Sequence, residues 1–118
     1  MIRTIAIATV LTVLASAQVA SAIVTAPLRG GQATRLRCRV LNTDNVAHPV
    51  TITIRRVNTD EILSTSSTPV NPASTRSIGI LTDAIAYCEV TGLSKALARV
   101  TFCVEDNAGA CIAATTVP

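Results

Sequence analysis

The chain has 118 residues, with 10 Lys and Arg against 7 Asp and Glu, and a formal net charge of +3. This length accommodates one small domain, and so small a charge is not typical of a nucleic-acid-binding protein. With no Trp, one Tyr and one Phe, the core must be built from Ile, Val, Leu and Ala, which bury less area per side chain than aromatic residues.

The N-terminal segment has the pattern of a secretory signal peptide. A basic start at residues 1–3 precedes an almost wholly apolar run over residues 5–14, and Ala-Ser-Ala follows at 15–17 and again at 20–22. We predict that residues 1–22 are a signal peptide. The apolar run is shorter than the roughly 20 residues that a membrane span needs, and an uncleaved N-terminal anchor is the alternative.

Cleavage after Ala22 leaves residues 23–118 as a single domain, which we expect to be secreted or periplasmic, with no membrane span. All four Cys lie in this domain. Disulfides are typical of small exported domains, because their hydrophobic cores are thin. We therefore expect a domain held together by two disulfides.

This domain consists of short β-type runs divided by turn residues, a pattern that predicts an all-β sandwich or barrel. A short run at residues 23–25 opens it. Seven predicted strands follow, at residues 35–41, 50–57, 61–65, 76–81, 84–91, 97–105 and 110–117.

The connections follow from turn chemistry. Residues 42–49 and 58–60 are predicted turns, and Asp106 to Gly109 is a tight turn between the last two strands. Residues 66–72 are a predicted loop, because two Pro in this stretch lack a backbone donor. One segment stays open: residues 82–100 form either two strands around a turn at Gly92 or a partly helical stretch.

Two of the predicted strands alternate in polarity with a period of two, so that each presents different residues on its two faces. In the first of them, three arginines alternate with apolar residues: Arg35, Arg37 and Arg39 against Leu36, Cys38 and Val40. In the second, the residues predicted to face the core and the solvent are, respectively, Val50, Ile52 and Ile54, and Thr51, Thr53 and Arg55.

Four Cys allow three disulfide pairings. A hairpin centred on Asn107 places Cys103 opposite Cys111, and it pairs Phe102 with Ile112 and Val100 with Ala114 on an apolar face. The two Cys then lie on the other face, with Arg99 and Thr101. Cys38 is left to pair with Cys88, and both fall on the apolar phase of their strands.

A bridge between an early and a late strand resembles that of the immunoglobulin-like β-sandwich. Residues 83–88 are similar to a tyrosine corner, although Tyr87 directly precedes Cys88 and so points away from the sulfur. The blocks at 38–42, 87–90 and 102–104 also resemble those of short exported bacterial proteins of unassigned function. The resemblance implies an immunoglobulin-like antiparallel β-sandwich of about seven strands, and it implies no mechanism.

The arginine stripe is the most informative candidate site. Alternate residues of a strand lie about 7 Å apart, so we expect Arg35, Arg37 and Arg39 to form an anion-binding row for a phosphate- or sulfate-bearing polymer or for acidic lipid headgroups. The alternative is a solvated face on which the Arg stems cover Thr51 and Thr53, with Glu89 nearby.

Other chemistries find little support. His48 is the one His, in a predicted turn with no nucleophile pattern, so no catalytic residue is assigned. The Cys are too far apart for a zinc site, and Glu105 and Asp106 are interpreted as solvated turn residues without the spacing of a calcium loop. No metal and no cofactor is implied.

We therefore expect an exported non-catalytic binding or interaction module whose partner is an unknown protein or an envelope component, not nucleic acid. The alternative is a secreted hydrolase inhibitor that presents the turn at residues 105–109. An enzyme is the least favoured of the three hypotheses.

Overall fold

The computed structural model describes residues 22–31 and 34–117, so the signal peptide predicted for residues 1–22 lies, apart from Ala22, outside the described residues. The described chain is all-β and contains no helix, hence no helical membrane span. Its strands are β1 Ile23–Val24, β2 Leu28–Arg29, β3 Arg35–Asn42, β4 His48–Arg56, β5 Ile62–Val70, β6 Thr75–Leu81, β7 Ile85–Thr91, β8 Ala98–Glu105 and β9 Cys111–Val117.

The strands form two antiparallel sheets, as expected for a β-sandwich. Sheet I has the order β1-β7-β4-β5, with β2 also paired to β7, and sheet II has the order β6-β3-β8-β9. The seven long strands correspond to the seven predicted from residue 35 onward, and residues 82–100 contain two strand segments and no helix. The two-residue strands β1 and β2 complete sheet I.

The core lies between the sheets and is made mainly of aliphatic side chains. As the period of two predicts, the inward residues of β3 and β4 are buried: Leu36, Cys38, Val40, Val50, Ile52 and Ile54. Phe102 is the largest fully buried side chain. Gly92, between β7 and β8, has φ +100°, and a Cβ there would lie 2.0 Å from the Pro49 carbonyl oxygen, so this connection requires glycine.

Both predicted disulfides are present. Cys38 and Cys88 join β3 to β7 across the core, with their Cα atoms 6.2 Å apart, and both are fully buried. Cys103 and Cys111 join β8 to β9, with their Cα atoms 5.8 Å apart. The first bridge therefore links the two sheets, and the second braces one hairpin.

The predicted register of that hairpin is wrong. Cys103 lies opposite Ala114 instead of Cys111, a shift of three residues (114 − 111) along β9. Residues 106–110 all lie in the turn, and a bulge adds Ile112 between the partners of Val104 and Glu105. The predicted apolar pairs of this hairpin are also wrong, because Phe102 lies opposite Thr115 and Val100 lies opposite Val117. Ile112 and Ala114 are exposed on the edge strand.

The loop predicted at residues 66–72 is also wrong in its first part, because β5 runs on to Val70. β5 is an edge strand, and Pro69 lies opposite Pro49. Proline is tolerated on an edge strand, where one side of the backbone needs no partner. The same pairing draws His48 and Pro49, predicted as part of a turn, into β4.

Candidate functional site: the basic face of sheet II

The three stripe arginines lie on the outer face of sheet II. Residues directly opposite each other in an antiparallel pair share a face, and Arg37 lies opposite Cys103 on one side and Gly79 on the other. Leu41 is similarly opposite Arg99, which adds a fourth arginine from β8. We call the surface formed by Arg35, Arg37, Arg39 and Arg99 the basic face.

Gly79 gives this face its shape. A Cβ at that position would lie 2.9 Å from Arg35 Cδ and 3.2 Å from Arg37 Cζ. The missing side chain therefore leaves room for both arginines to lie against the sheet. Their apolar stems cover the backbone there while the guanidinium groups remain at the surface.

Arg37 is the anchored member of the basic face. Its Nε donates to Glu105 Oε1 at 2.8 Å, and its Nη1 donates to Ser77 Oγ at 3.2 Å. Glu105 is therefore not the solvated turn residue that the sequence suggested. Within the described chain, Arg35, Arg39 and Arg99 form no ion pair, so their charges are available to a ligand.

The charge is distributed unevenly between strands and loops. The strands of sheet II carry five arginines and one carboxylate, a net charge of 5 − 1 = +4: Arg35, Arg37, Arg39, Arg76, Arg99 and Glu105. The strands of sheet I carry three arginines and one carboxylate, a net charge of 3 − 1 = +2: Arg29, Arg55, Arg56 and Glu89. The other described carboxylates lie in loops. The net charge of the chain is therefore small although the strands of sheet II are strongly positive.

Polar side chains on the outer face of sheet I form hydrogen bonds with one another. Thr51 bonds Ser67 at 2.8 Å, and Thr53 bonds Thr65 at 3.0 Å, between hydroxyl oxygens. Arg55 Nε donates to Glu89 Oε1 at 3.2 Å. Because Thr51, Thr53 and Glu89 all belong to sheet I, the stems of the stripe arginines do not cover the two threonines. The solvated face itself stays the alternative to an anion-binding row.

The His48 ring contacts the carboxylate of Asp44. The ring Nε2 lies 2.6 Å from Asp44 Oδ2, and no hydroxyl of the described chain bonds the ring. The hydrogen bond from His48, aided by the backbone N–H of Asn45, lowers the pKa of Asp44 below its ordinary value. This contribution to stability is present above that ordinary value and is lost as the pH falls through the lower pKa of the folded protein.

Asn42 orders the loop that carries Asp44. Its buried side-chain amide donates to the carbonyls of Val46 and Val70, each at 2.9 Å, and its Oδ1 accepts from the backbone N–H of Asp44. A buried amide with its partners in place rigidifies its surroundings. Asn42 therefore helps to fix the loop position from which Asp44 contacts His48.

The β8–β9 turn is well braced. Asp106 Oδ1 accepts from the backbone N–H groups of Ala108 and Ala110, each at 2.9 Å, and Gly109 adopts φ +83°. Residues 107–110 are exposed above the Cys103–Cys111 bridge. The turn thus presents a short, ordered tip to solvent, the geometry that the inhibitor hypothesis requires.

Arg99 and Gly79 also belong to the basic face, although the sequence alone did not predict this. Both depend on which strands flank β3, and the pairing of β3 with β6 and β8 spans long stretches of chain. The polarity pattern along β8 did place Arg99 on the face of Cys103. It carried no information on the neighbouring strand.

An open cleft at one end of sheet I was also missed. The residues that line it are Arg29, Arg56, Asn58, Asp83, Ala84 and Ile85. Arg56 is already engaged, because its Nε donates to Glu61 Oε1 at 3.0 Å. No group of three or more His, Cys, Asp or Glu that could hold a metal ion occurs among residues 22–31 and 34–117.

No protein-family model, no curated protein and no solved structure matches this chain.

Proposed function

We propose that the chain is an exported, non-catalytic binding module and that its basic face binds an anionic polymer of the cell envelope. The observation that carries this proposal is the concentration of Arg35, Arg37, Arg39 and Arg99 on one sheet face with Glu105 as the carboxylate among them. Guanidinium groups bind phosphate, sulfate and carboxylate groups through paired hydrogen bonds.

The spacing of the arginines favours a polymer over a small anion. Arg35 and Arg39 are four residues apart on a strand, which corresponds to about 13 Å. Arg37 lies between them and is partly neutralised by Glu105. A ligand that reaches both outer arginines must therefore present more than one anionic group.

The two disulfides support the exported location, because such bonds persist in oxidising compartments outside the cytoplasm. The signal peptide proposed for residues 1–22 accounts for the route. An immunoglobulin-like type of sandwich is part of the proposal, and a core bridge between opposite sheets, from β3 to β7, supports it.

The test is retention on immobilised dextran sulfate as a function of salt. We expect the double variant R35S/R39S to elute at lower salt than the unaltered protein, because its outer arginines are removed and screening weakens those that remain. The matched control is R29S/R56S, which removes the same charge from sheet I. Equal shifts for the two variants would show that net charge, and not the basic face, drives binding.

A second candidate function rests on the β8–β9 turn. Its Asp106-braced, disulfide-supported tip is exposed, as a rigid inhibitory loop must be. The proposal predicts that replacing Asn107 and Ala108 by Gly leaves polymer retention unchanged. If those changes instead relieve inhibition of a hydrolase captured by the protein, the inhibitor function is the correct one.

A further inference from the structure

We infer that β9 is a pairing edge and that it joins a second copy of this chain, strand to strand, into one continuous sheet. An edge strand has a row of unpaired backbone N–H and C=O groups that another strand can bind. β9 pairs only with β8, and residues 111–114 and 116 on it are exposed.

The other edges of the sandwich carry devices that discourage pairing. On sheet I, β1 and β2 are two-residue strands separated by a segment that includes Pro27, and β5 contains Pro69 and a bulge opposite Ile54 and Arg55. On sheet II, β6 carries the exposed Arg76 on its inward phase, opposite Val40. Proline, bulges and inward-pointing charges are the means by which proteins protect sheet edges.

β9 lacks most of these devices. Its sequence, Cys-Ile-Ala-Ala-Thr-Thr-Val, has no charge, no Pro and no Gly, and is rich in β-branched residues. Ile112 is 60% exposed, although it is a large hydrophobic residue. A bulge at Ile112 is its one irregularity, and it lies next to the turn.

The strand is complementary to itself. In the antiparallel register centred on Ala114, residues 112–116 of the two copies pair, and Ala114 lies on the two-fold axis, opposite Ala114 of the second copy. Ile112 then meets Thr116, so that two β-branched side chains cover each other at each end.

Charge also favours a second copy as the occupant. β9 has no charge to attract an acidic or a basic peptide, and two copies meet with no like-charged pair. In the continuous eight-stranded sheet (4 + 4) the two β3 strands are five strand spacings apart, about 24 Å. This exceeds the Debye length of about 8 Å at physiological salt, so the arginine rows do not repel each other appreciably.

Two identical antiparallel strands that pair in one sheet are related by a two-fold axis perpendicular to that sheet, so the outer faces of sheet II in the two copies point the same way. Pairing through β9 would therefore place two basic faces side by side on one surface. The inference does not depend on what that surface binds. A paired strand alone buries less than a standard interface, so we expect a Kd between about 1 µM and 1 mM.

The experiment is sedimentation velocity of the purified disulfide-bonded protein over that concentration range. We expect a concentration-dependent dimer. Thr116→Lys should abolish it, because two lysines would lie on the paired edge, whereas Thr75→Lys on the exposed β6 edge should leave it unchanged. A monomer at every concentration overturns the inference, and so does a dimer lost equally in both variants.

A charge exchange tests the strand register. The variants I112K/T116K and I112E/T116E should each be monomeric, because like charges face each other in both positions. Their mixture should form a heterodimer, because each Lys then meets a Glu. If the mixture stays monomeric while the unaltered protein dimerises, another surface carries the contact and the inference is wrong.

Discussion

Tyr87 shows how a single side chain connects two separate parts of sheet I. It lies on the outer face of β7, and its hydroxyl donates to Asp60 Oδ1 at 2.7 Å. Asp60 is in the turn after β4 with φ 57°, and its carbonyl accepts from Arg55 Nη1 at 3.0 Å. The hydrogen bond to a carboxylate raises the pKa of Tyr87 above its ordinary value of 10.0.

The titration of Tyr87 can be followed by tyrosinate absorbance without interference, because Tyr87 is the single Tyr and there is no Trp. Asp60→Asn should lower the midpoint of tyrosinate absorbance, since the negative acceptor is lost while Asn tolerates the left-handed backbone. Asp44→Asn, which does not contact Tyr87, should leave the midpoint unchanged. A midpoint that stays the same in both variants would mean that the Tyr87–Asp60 bond does not form in solution.

The same contact has a consequence for stability at alkaline pH. A raised pKa in the folded protein means that the protonated phenol is favoured by folding. Its contribution is complete below the unfolded value and is lost as the pH rises through the higher folded value. The phenol is at the surface, so the effect on unfolding is small.

For single residues, polarity patterns predict which face of the sheet a side chain occupies but not which neighbours cover it. Tyr87 points away from the Cys88 sulfur, as its position in the strand predicts. Thr53 was expected to face solvent, yet it is buried, because it lies opposite both Thr65 and Glu89 on the outer face. Such cover comes from neighbouring strands, which a single strand pattern does not reveal.

At the level of elements, most strands were predictable because turn residues and alternation mark them locally. The errors concern β5 and β9, the edge strands whose pairing is decided by their partners. Pro69 is typical of a loop, but an edge strand accepts it opposite Pro49. The turn residues alone predict a hairpin centred on Asn107, but the turn covers residues 106–110 and the bulge at Ile112 shifts the β8–β9 register further.

The two disulfides predict different losses on removal. Their sequence separations are 50 and 8 residues, and loop-closure entropy gives about 4 and about 2.5 kcal/mol, respectively. We therefore expect C38A/C88A to lower the free energy of unfolding by roughly 1.5 kcal/mol more than C103A/C111A. Cavities left by the fully buried Cys38 and Cys88 would add to this difference.

Urea unfolding followed by far-ultraviolet circular dichroism measures both losses. The second variant is the matched control, because it also removes two sulfurs and one bridge. Equal midpoints for the two variants would contradict the assignment of the core bridge as the main staple.

For the whole molecule, the order of the strands in the sheets is the feature that is hardest to predict, because no local sequence pattern indicates it. Only β4–β5 and β8–β9 are hairpins within one sheet, while the central pairs β3–β8 and β4–β7 join distant parts of the chain. The basic face is hard to predict for the same reason, because its four arginines come from both strands of the β3–β8 pair. Predicting the stripe on β3 was therefore possible, and predicting the full face was not.

The same topology predicts slow folding that the core bridge accelerates. Distant pairings incur loop-closure entropy before they gain contacts, and folds dominated by them fold in milliseconds to seconds. Cys38–Cys88 already holds β3 close to β7 in the unfolded chain, whereas Cys103–Cys111 closes only a hairpin that is local in any case. Stopped-flow refolding from urea should therefore be markedly slower for C38A/C88A and nearly unchanged for C103A/C111A. If both variants refold at the rate of the unaltered protein, the core bridge acts only on the unfolding rate, and β3 and β7 come together after the transition state.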